Sequence, residues 1–470
     1  MLPWSRLRRY AISISSNAYW GHRMRVTELP SAVVEKGLCI GCGVCTAANV
    51  GHNEPLVRMT YSTKYDHAIP IVVDNGKDAP QVVCPGAEMH MPEIARQKYG
   101  REPADGWVGE HVRIRAAYAA DSSVRHRAAS GGVTTALLGH LLDQEAIDAA
   151  YCVVSEGDPN TRAGVMIRSR AGLERIHGSV YQPAVLGGEL QALIEGDERF
   201  AFVGLPCEVA ALERMKATDA RLAARHVLSI GLFCGGINRF GGIDYYLRKF
   251  GVSLRASQGI DYRYGAWPGK IRLVDNAGKG HEIARIRGNS RWNILRYVVA
   301  FQGYWMLGRC RMCPDQISDF ADIAVGDPHL PRFRSKQGLG YSAVVVRNER
   351  GLRWYEEALQ AGVLQDEQLD REELIESQGY TLDNRRHAKA YVRVAGWLGM
   401  SVPALSTYQD FDRPTFKHYK YALVDLLKIR LRGVRILRPF YIPMQVFEYL
   451  FITLAPRVFF KRLMNLFSNK

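Results

Sequence analysis

The chain has few cysteines, nine in 470 residues, and it lacks most of the features that assign a function at a glance. It has no GxGxxG fingerprint, no internal repeat and no low-complexity tract, which leaves ordinary globular domains as the organising plan. The net charge of +15 comes with no motif of a nucleic-acid-binding fold, so nucleic acid is not expected as a partner. Near the start, Arg6, Arg8 and Arg9 precede Tyr10-Ala-Ile-Ser-Ile, a run too short and too polar for a signal-peptide core; residues 1–32 read as a tail. Near the end, Pro439, Pro443 and Pro456 break the apolar stretch and Glu448 interrupts it, so a bilayer-spanning helix is not expected there. At 47% hydrophobic and 23% charged, the composition is that of a soluble protein with room for two or three cores, not a small disulfide-stapled module.

What cysteine there is falls into two groups of four. The first is Cys39-Ile-Gly-Cys42-Gly-Val-Cys45 with a distant Cys84-Pro85; the second is Cys207, Cys234, Cys310 and Cys313. Four thiolates are what one cubane iron–sulfur cluster needs. Three cysteines at two-residue intervals would crowd a tetrahedral zinc ion, whereas such a loop can wrap a cubane whose irons sit at separate corners. Gly41 and Gly43 let this loop curl, and the Cys-Pro ending is that of bacterial ferredoxin motifs. Spacing therefore favours a cluster over zinc or disulfides in the first group. In the second, only Cys310-Arg-Met-Cys313 is a hook, while Cys207 and Cys234 each close an apolar run at a turn. These residues leave open a second cluster and ordinary buried cysteines. Cys152, inside Ala149-Ala-Tyr-Cys-Val-Val154, reads as core. Ligand-like spacing points to a reducing, cytoplasmic setting.

Apolar runs closed by Gly or Pro mark the rest. Strand-like stretches at Val112–Tyr118, Ala149–Val154, Ala201–Leu205, Val227–Phe233, Ile323–Gly326 and Ser342–Val346, with a helix at about Gly132–Gln144, form a βαβ pattern. Helices are expected at Trp354–Ala361 and Arg371–Gln378, and strands at Ile69–Val73 and Gln81–Val83. The expected fold is α/β: a mixed, mainly parallel sheet body with a small N-terminal ferredoxin-like iron–sulfur insert and a basic helical C-terminal tail. The segments are 1–32 (tail), 33–105 (iron–sulfur), 106–200 (with the phosphate loop), 201–395 (with the second cysteine group) and 396–470 (basic amphipathic tail).

Outside the cysteines, Ser130-Gly131-Gly132 opens directly into the apolar helix. Ser130 is placed to cap it, and free N–H groups at the positive end of the dipole suit a phosphate. Thr134 sits in the first turn, and Arg125 and Arg127 are near enough in sequence to add charge-assisted bonds; a simple capped helix is the plainer alternative. Gly326-Asp327-Pro328-His329 follows a strand, where a carboxylate can hold a ribose or ribityl hydroxyl or move a proton, or where the residues simply form a turn. Ser179, Tyr181 and Glu208 are further candidates. In the final 55 residues eleven basic side chains stand against Asp425 and Glu448, interleaved with large apolar ones. That pattern describes either an interfacial helix or a basic face on a hairpin packed against the body.

Taken in order, these pieces resemble the beta-subunit family of deazaflavin-coenzyme (F-420) hydrogenases and dehydrogenases. The matching pieces are the CxxCxxC loop with Cys84-Pro85-Gly86, Ser130-Gly131-Gly132, Gly204-Leu-Pro-Cys207-Glu208, Phe233-Cys234-Gly-Gly236, Cys310-Arg-Met-Cys313 and Ala321-Asp322-Ile with Gly326-Asp327, covering roughly residues 33 to 395. The resemblance implies an FAD-binding protein with two [4Fe-4S] clusters that passes electrons between a soluble carrier, ferredoxin or the deazaflavin coenzyme, and a substrate or partner subunit. It makes the second cysteine group a cluster site and puts Ser130, Gly131 and Gly132 near the flavin phosphates. Two departures stand out: Val180 where relatives often carry lysine, and His329 where many carry an aromatic residue. Asp327, His329 and Glu208 are the expected proton-handling residues. The alternatives are a non-catalytic electron-transfer subunit of a larger complex and an accessory protein of exopolysaccharide formation. The tail lies outside the resemblance and is expected to touch a partner or the inner face of the membrane.

Overall fold

The computed structural model describes residues 30–73, 83–154, 162–176, 178–284, 297–334, 339–408 and 414–448. Its centre is one eight-stranded sheet. The spatial order is Leu364–Gln368, Arg113–Ala119, Ser342–Val346, Ile323–Gly326, His226–Leu232, Phe200–Gly204, Ala149–Val153, Gly164–Ile167. The Ile323, His226, Phe200 and Ala149 strands are mutually parallel, and the remaining pairings are antiparallel. Five of the eight strands thus run one way, as expected of a mixed, mainly parallel sheet. Its strands come from both segments 106–200 and 201–395, which build one body together.

The side-chain period of two in each strand decides which face a residue covers. Phe200 and Phe202 point to one face, where helix Pro206–Thr218 packs Val209, Ala211 and Leu212 on them. Ala201 and Val203 point to the other, covered by helix Val133–Asp143 through Leu137, Leu138 and Leu141 and by helix Glu349–Gln360 through Tyr355 and Ala358. Both faces are buried, which is why these strands read as continuous apolar runs.

A buried charge network pins the sheet to helix Met91–Tyr99. The Asp322 carboxylate accepts from Ser229 N–H at 2.8 Å, Ser229 Oγ at 2.9 Å, Asn348 Nδ2 at 2.7 Å and Lys98 Nζ at 3.0 Å. Burial disfavours its charge, yet Lys98 and its hydrogen bonds hold its pKa well below the usual carboxylate range.

The cysteine-bearing segment contributes a hairpin, Val57–Ser62 with His67–Val72, and a short strand Glu88–His90 that pairs in parallel with Ala404–Ser406. Residues 81 and 82 of the expected Gln81–Val83 strand lie outside the described residues. A separate three-stranded antiparallel sheet, Ser257–Tyr264, Lys270–Asp275 and Gly280–Ala284, was not expected from the sequence. After the body, helix Ala388–Trp397 crosses residue 395 and packs Tyr391 and Val394 on Ala422, Leu426 and Ile429 of helix Phe416–Leu431. The tail therefore begins as a basic helix seated on the body. Among the described residues no helix is long and apolar enough to cross a membrane.

Candidate functional site

Gly41 and Gly43 adopt φ of +73° and +75°, the left-handed conformation that curls the first cysteine loop. A Cβ on Gly41 would lie 2.9 Å from the Ala68 carbonyl oxygen, so the hairpin closes on this loop without room for a side chain. Cys207 is the second residue of helix Pro206–Thr218, immediately past the Phe200 strand; Cys234 lies just past the His226 strand. Cys310 is in the short helix Gly308–Arg311, with Cys313 two residues beyond it. All nine cysteines are free.

Burial is the largest cause raising the pKa of each of the eight thiols, with Cys39 pushed up to about 12 and Cys313 to about 11. Cys84 adds to the rise at Cys39, Cys42 and Cys45, and Cys313 adds at Cys207 and Cys234, so each set is close enough for its members to feel one another. Such a set suits a group that brings positive charge to the sulfurs. Spacing separates zinc from a cluster. Zn–S bonds of about 2.3 Å would hold four sulfurs about 3.8 Å apart. Among the described residues, the one trio with ligand atoms all within 4.8 Å is Asp383, His387 and His418, not any three cysteines. The sulfurs of each set are thus spread more widely than one tetrahedral zinc ion would hold them. The Asp383 trio is a packing cluster: Lys417 pairs with Asp383 at 3.3 Å, and His418 Nδ1 accepts from Thr415 N–H.

The two sets adjoin. Cys42 of the first and Cys207 and Cys310 of the second pack on one small cluster of Ile40, Ile237 and Leu307. Two buried arginines join the parts. Arg309 donates to the Pro85 and Gly86 carbonyls, each at 2.9 Å. Arg239 donates to the carbonyls of Tyr65 at 3.0 Å and Met306 at 3.2 Å.

Beyond Cys234 opens a cavity of about 1080 Å³. Val153, Gly204, Leu232 and Gly326, where the four parallel strands end, all line it, which is where open α/β sheets build sites. So do Ser130, Gly132, Thr134, Ser179, Tyr181, Glu208, Asp327, His329 and Cys234. The expected flavin and proton-handling residues are largely one wall system.

Several placements differ from expectation. Helix Val133–Asp143 starts on Gly132 at φ +80° with no side-chain cap; the Ser130 hydroxyl instead donates to the Tyr341 carbonyl. Arg125 is outside the cavity wall. Its guanidinium lies over the Tyr118 ring at 3.6 Å and donates to the Gly340 carbonyl. Gly131 is also outside, and a Cβ there would lie 2.4 Å from the Ala117 carbonyl oxygen, so this glycine serves close packing of the turn on the sheet. Cys152 is buried in its strand, as expected of core.

Sequence reasoning missed Arg263. From the unexpected antiparallel sheet it reaches into the cavity, donates to Asp327 Oδ2 at 2.9 Å and to the Tyr181 hydroxyl at 3.5 Å, and binds the Ala129 carbonyl. The alternation of Gly259-Ile-Asp-Tyr-Arg-Tyr264 was the available strand signal. Burial opposes the charge on Asp327, but Arg263 outweighs it and holds the pKa low. Asp327 is thus an ion-paired carboxylate, an acceptor rather than a proton donor. Glu208 differs: burial raises its pKa to about 7, against the Leu205 N–H bond that lowers it. His329 is exposed at the rim, its N–H donating to Ser377 Oγ.

Residues 114–190 match the family model for the N-terminal part of the coenzyme F420 hydrogenase/dehydrogenase beta subunit, and residues 197–372 match the model for its C-terminal part. Together they cover more than half of the chain. The chain belongs to this family. A coenzyme F420-dependent sulfite reductase of Methanocaldococcus jannaschii is 24% identical over 336 residues, 68% of this chain but 46% of that protein. Less than half of that relative's length is therefore represented. The beta subunit of a coenzyme F420 hydrogenase from Methanothermobacter thermautotrophicus is 22% identical over 270 residues, 56% of this chain and 86% of that one. A chain of the F420-reducing [NiFe] hydrogenase complex from Methanosarcina barkeri overlays at TM-score 0.48 and 18% identity, covering 64% of this chain and 98% of that chain, too loosely for residue-by-residue comparison. The family segments contain the cavity turns and the whole second cysteine set; the first set and the basic helix lie outside them. The relatives matched are named as oxidoreductases or their subunits.

Proposed function

We propose that the chain is a flavin- and iron–sulfur-dependent oxidoreductase subunit, linked to the deazaflavin coenzyme or to ferredoxin and acting with a partner subunit on the cytoplasmic side, its basic tail meeting the membrane's inner face. The observation that carries the reading is continuity: the first cysteine set adjoins the second at Cys42 and Cys207, and Cys234 of the second set is in the cavity wall. The names of the relatives favour the deazaflavin coenzyme as carrier, and several further relatives are, like the Methanothermobacter protein, subunits.

Cys39, Cys42, Cys45 and Cys84 would hold one [4Fe-4S] cluster, and Cys207, Cys234, Cys310 and Cys313 the other. FAD fits the cavity by size and by chemistry. The helix Val133–Asp143 points its uncapped first turn inward, and Asp327 Oδ1 and Asn238 Oδ1 are buried acceptors without a hydrogen-bond partner among the described residues. When bound, these groups supply exchange between one- and two-electron steps. The protein's own part is positioning. The Thr134 turn receives the phosphates, and Asp327, fixed by Arg263, accepts from a hydroxyl. Glu208, its carboxyl poised near neutrality, holds or releases a proton at the wall between cysteines and cavity.

Anaerobic purification with iron, sulfide and flavin quantification tests this. About eight irons and one releasable FAD per chain are expected. A colourless, iron-free protein would sink the cluster reading, and denatured protein that releases no FAD would sink the flavin reading on its own. A non-catalytic relay subunit would carry the same cofactors but turn over no deazaflavin coenzyme without its partner chain.

A further inference from the structure

Helix Phe416–Leu431 has two apolar faces where a packed helix needs one. Ala422, Leu426 and Ile429 are buried against the body. On the other side Phe416, Leu423 and Leu427 are exposed at helical spacing, Phe416 by 84%. The exposed series continues past the helix end through Val434, Ile436 and Phe440, Ile436 being 78% exposed, and Trp397 stands beside it, 72% exposed and stacked on Tyr419 of the same helix. Exposed basic residues Lys417, Arg430 and Arg438 flank the series, while Asp425, the helix's one acidic residue, is turned inward to Arg311 and Tyr391. A patch of large apolar side chains edged by cations is not a solvated surface. We propose that this face, Phe416 to Phe440 with Trp397, lies in the headgroup region of an anionic lipid bilayer, parallel to its plane.

Charge complementarity selects the occupant. Interfacial helices combine apolar burial with attraction to anionic headgroups, and an aromatic ring such as Trp397 settles at that depth. A bilayer asks for no shape complementarity along this exposed series, which a protein partner would need to match. Because Asp425 pairs with Arg311 at 3.3 Å, between Cys310 and Cys313, the docked helix is tied directly to the second cysteine set. Lipid contact therefore sets the face of the body nearest that set against the membrane. This deepens the membrane contact in the reading above and concerns none of the cofactor residues, so iron and flavin contents report on that reading separately.

The test is co-sedimentation of the anaerobically purified full chain with phosphatidylcholine vesicles made with and without phosphatidylglycerol. Binding to the anionic vesicles, weakened by salt, is expected, with little on the neutral ones. Phe416→Ser with Ile436→Ser, both at exposed positions, should lower partitioning by about tenfold or more while iron and flavin contents stay unchanged. Trp397→Ser should act in the same direction. Equal recovery of native and variant protein with anionic vesicles would overturn the proposal. So would a self-associated native protein, seen by light scattering without lipid, that the same substitutions render monomeric.

Discussion

The guanidinium of Arg309 donates to the carbonyl of Pro85 at 2.9 Å, joining the neighbour of Cys310 to the neighbour of Cys84. A second bond reaches the Gly86 carbonyl, also at 2.9 Å. Two cysteine loops from distant parts of the chain are held by one side chain.

Arg309→Met should therefore weaken both loops. Each buried carbonyl left without a donor costs about 1–3 kcal/mol, and a planar fork cannot be replaced by a point charge, so Arg309→Lys should rescue little. Thermal unfolding and iron content after purification measure it; unchanged values for both would show that the clamp is redundant.

Serine at any cysteine of one set should lower iron from about eight to about four atoms per chain, whereas Cys152→Ser should leave it unchanged. Loss of iron from both sets in every variant would mean that the two sites do not assemble independently.

Two substitutions at the glycine turn should separate fold from ligand. Gly131→Ala drives a Cβ against the Ala117 carbonyl and the Ser342 N–H, costing about 1–3 kcal/mol of stability along with flavin. Thr134→Glu adds a carboxylate at the cavity wall and should weaken flavin retention about tenfold, about 1.4 kcal/mol, with stability and iron unchanged. Flavin retained at native level by Thr134→Glu would move the phosphates elsewhere.

Acid should destabilise the body from a higher pH than carboxylates alone would set. His226 is buried, with Lys216 and Arg350 each 3.0 Å from Nδ1 and Asp322 4.0 Å from Nε2; Glu213 and Lys98 complete its surroundings. Burial, with Lys216, pushes its pKa down to about 3, so the folded state binds its proton later than the unfolded chain does. Its contribution is intact above about pH 6.5 and drains away as pH falls toward 3, on the order of a few kcal/mol. Asp322, held low, adds a loss that begins lower, near the ordinary carboxylate value. His226→Gln should flatten the decline in Tm between pH 6.5 and 4.5; an unaltered slope would assign it to other groups.

How much of this was legible depends on how local the signal is. Phe202-Val-Gly-Leu and Ile323-Ala-Val-Gly326 announce buried strands because both faces of the sheet are covered, and a turn residue ends each. The first cysteine loop is local too. The sheet Ser257–Ala284 alternates polar and apolar residues through Arg263 and Arg272 and offers no such run. Arg309 and Arg263 carry no local signal because their partners, Pro85 and Asp327, are far away in sequence. Ser130 misled for the opposite reason: a serine before two glycines is a fair cap in isolation, but the approach of Tyr341 takes its hydroxyl and leaves the helix to begin on Gly132.

The clamp also imposes an order in time. As the chain leaves the ribosome, the first four cysteines are complete once residue 84 has emerged, whereas the second four await Cys313, and Arg309 arrives beside it to close on Pro85. Should the two sets hold clusters as proposed, synthesis itself would present them in turn, the earlier set first and then the later one, whose Arg309 clamps it.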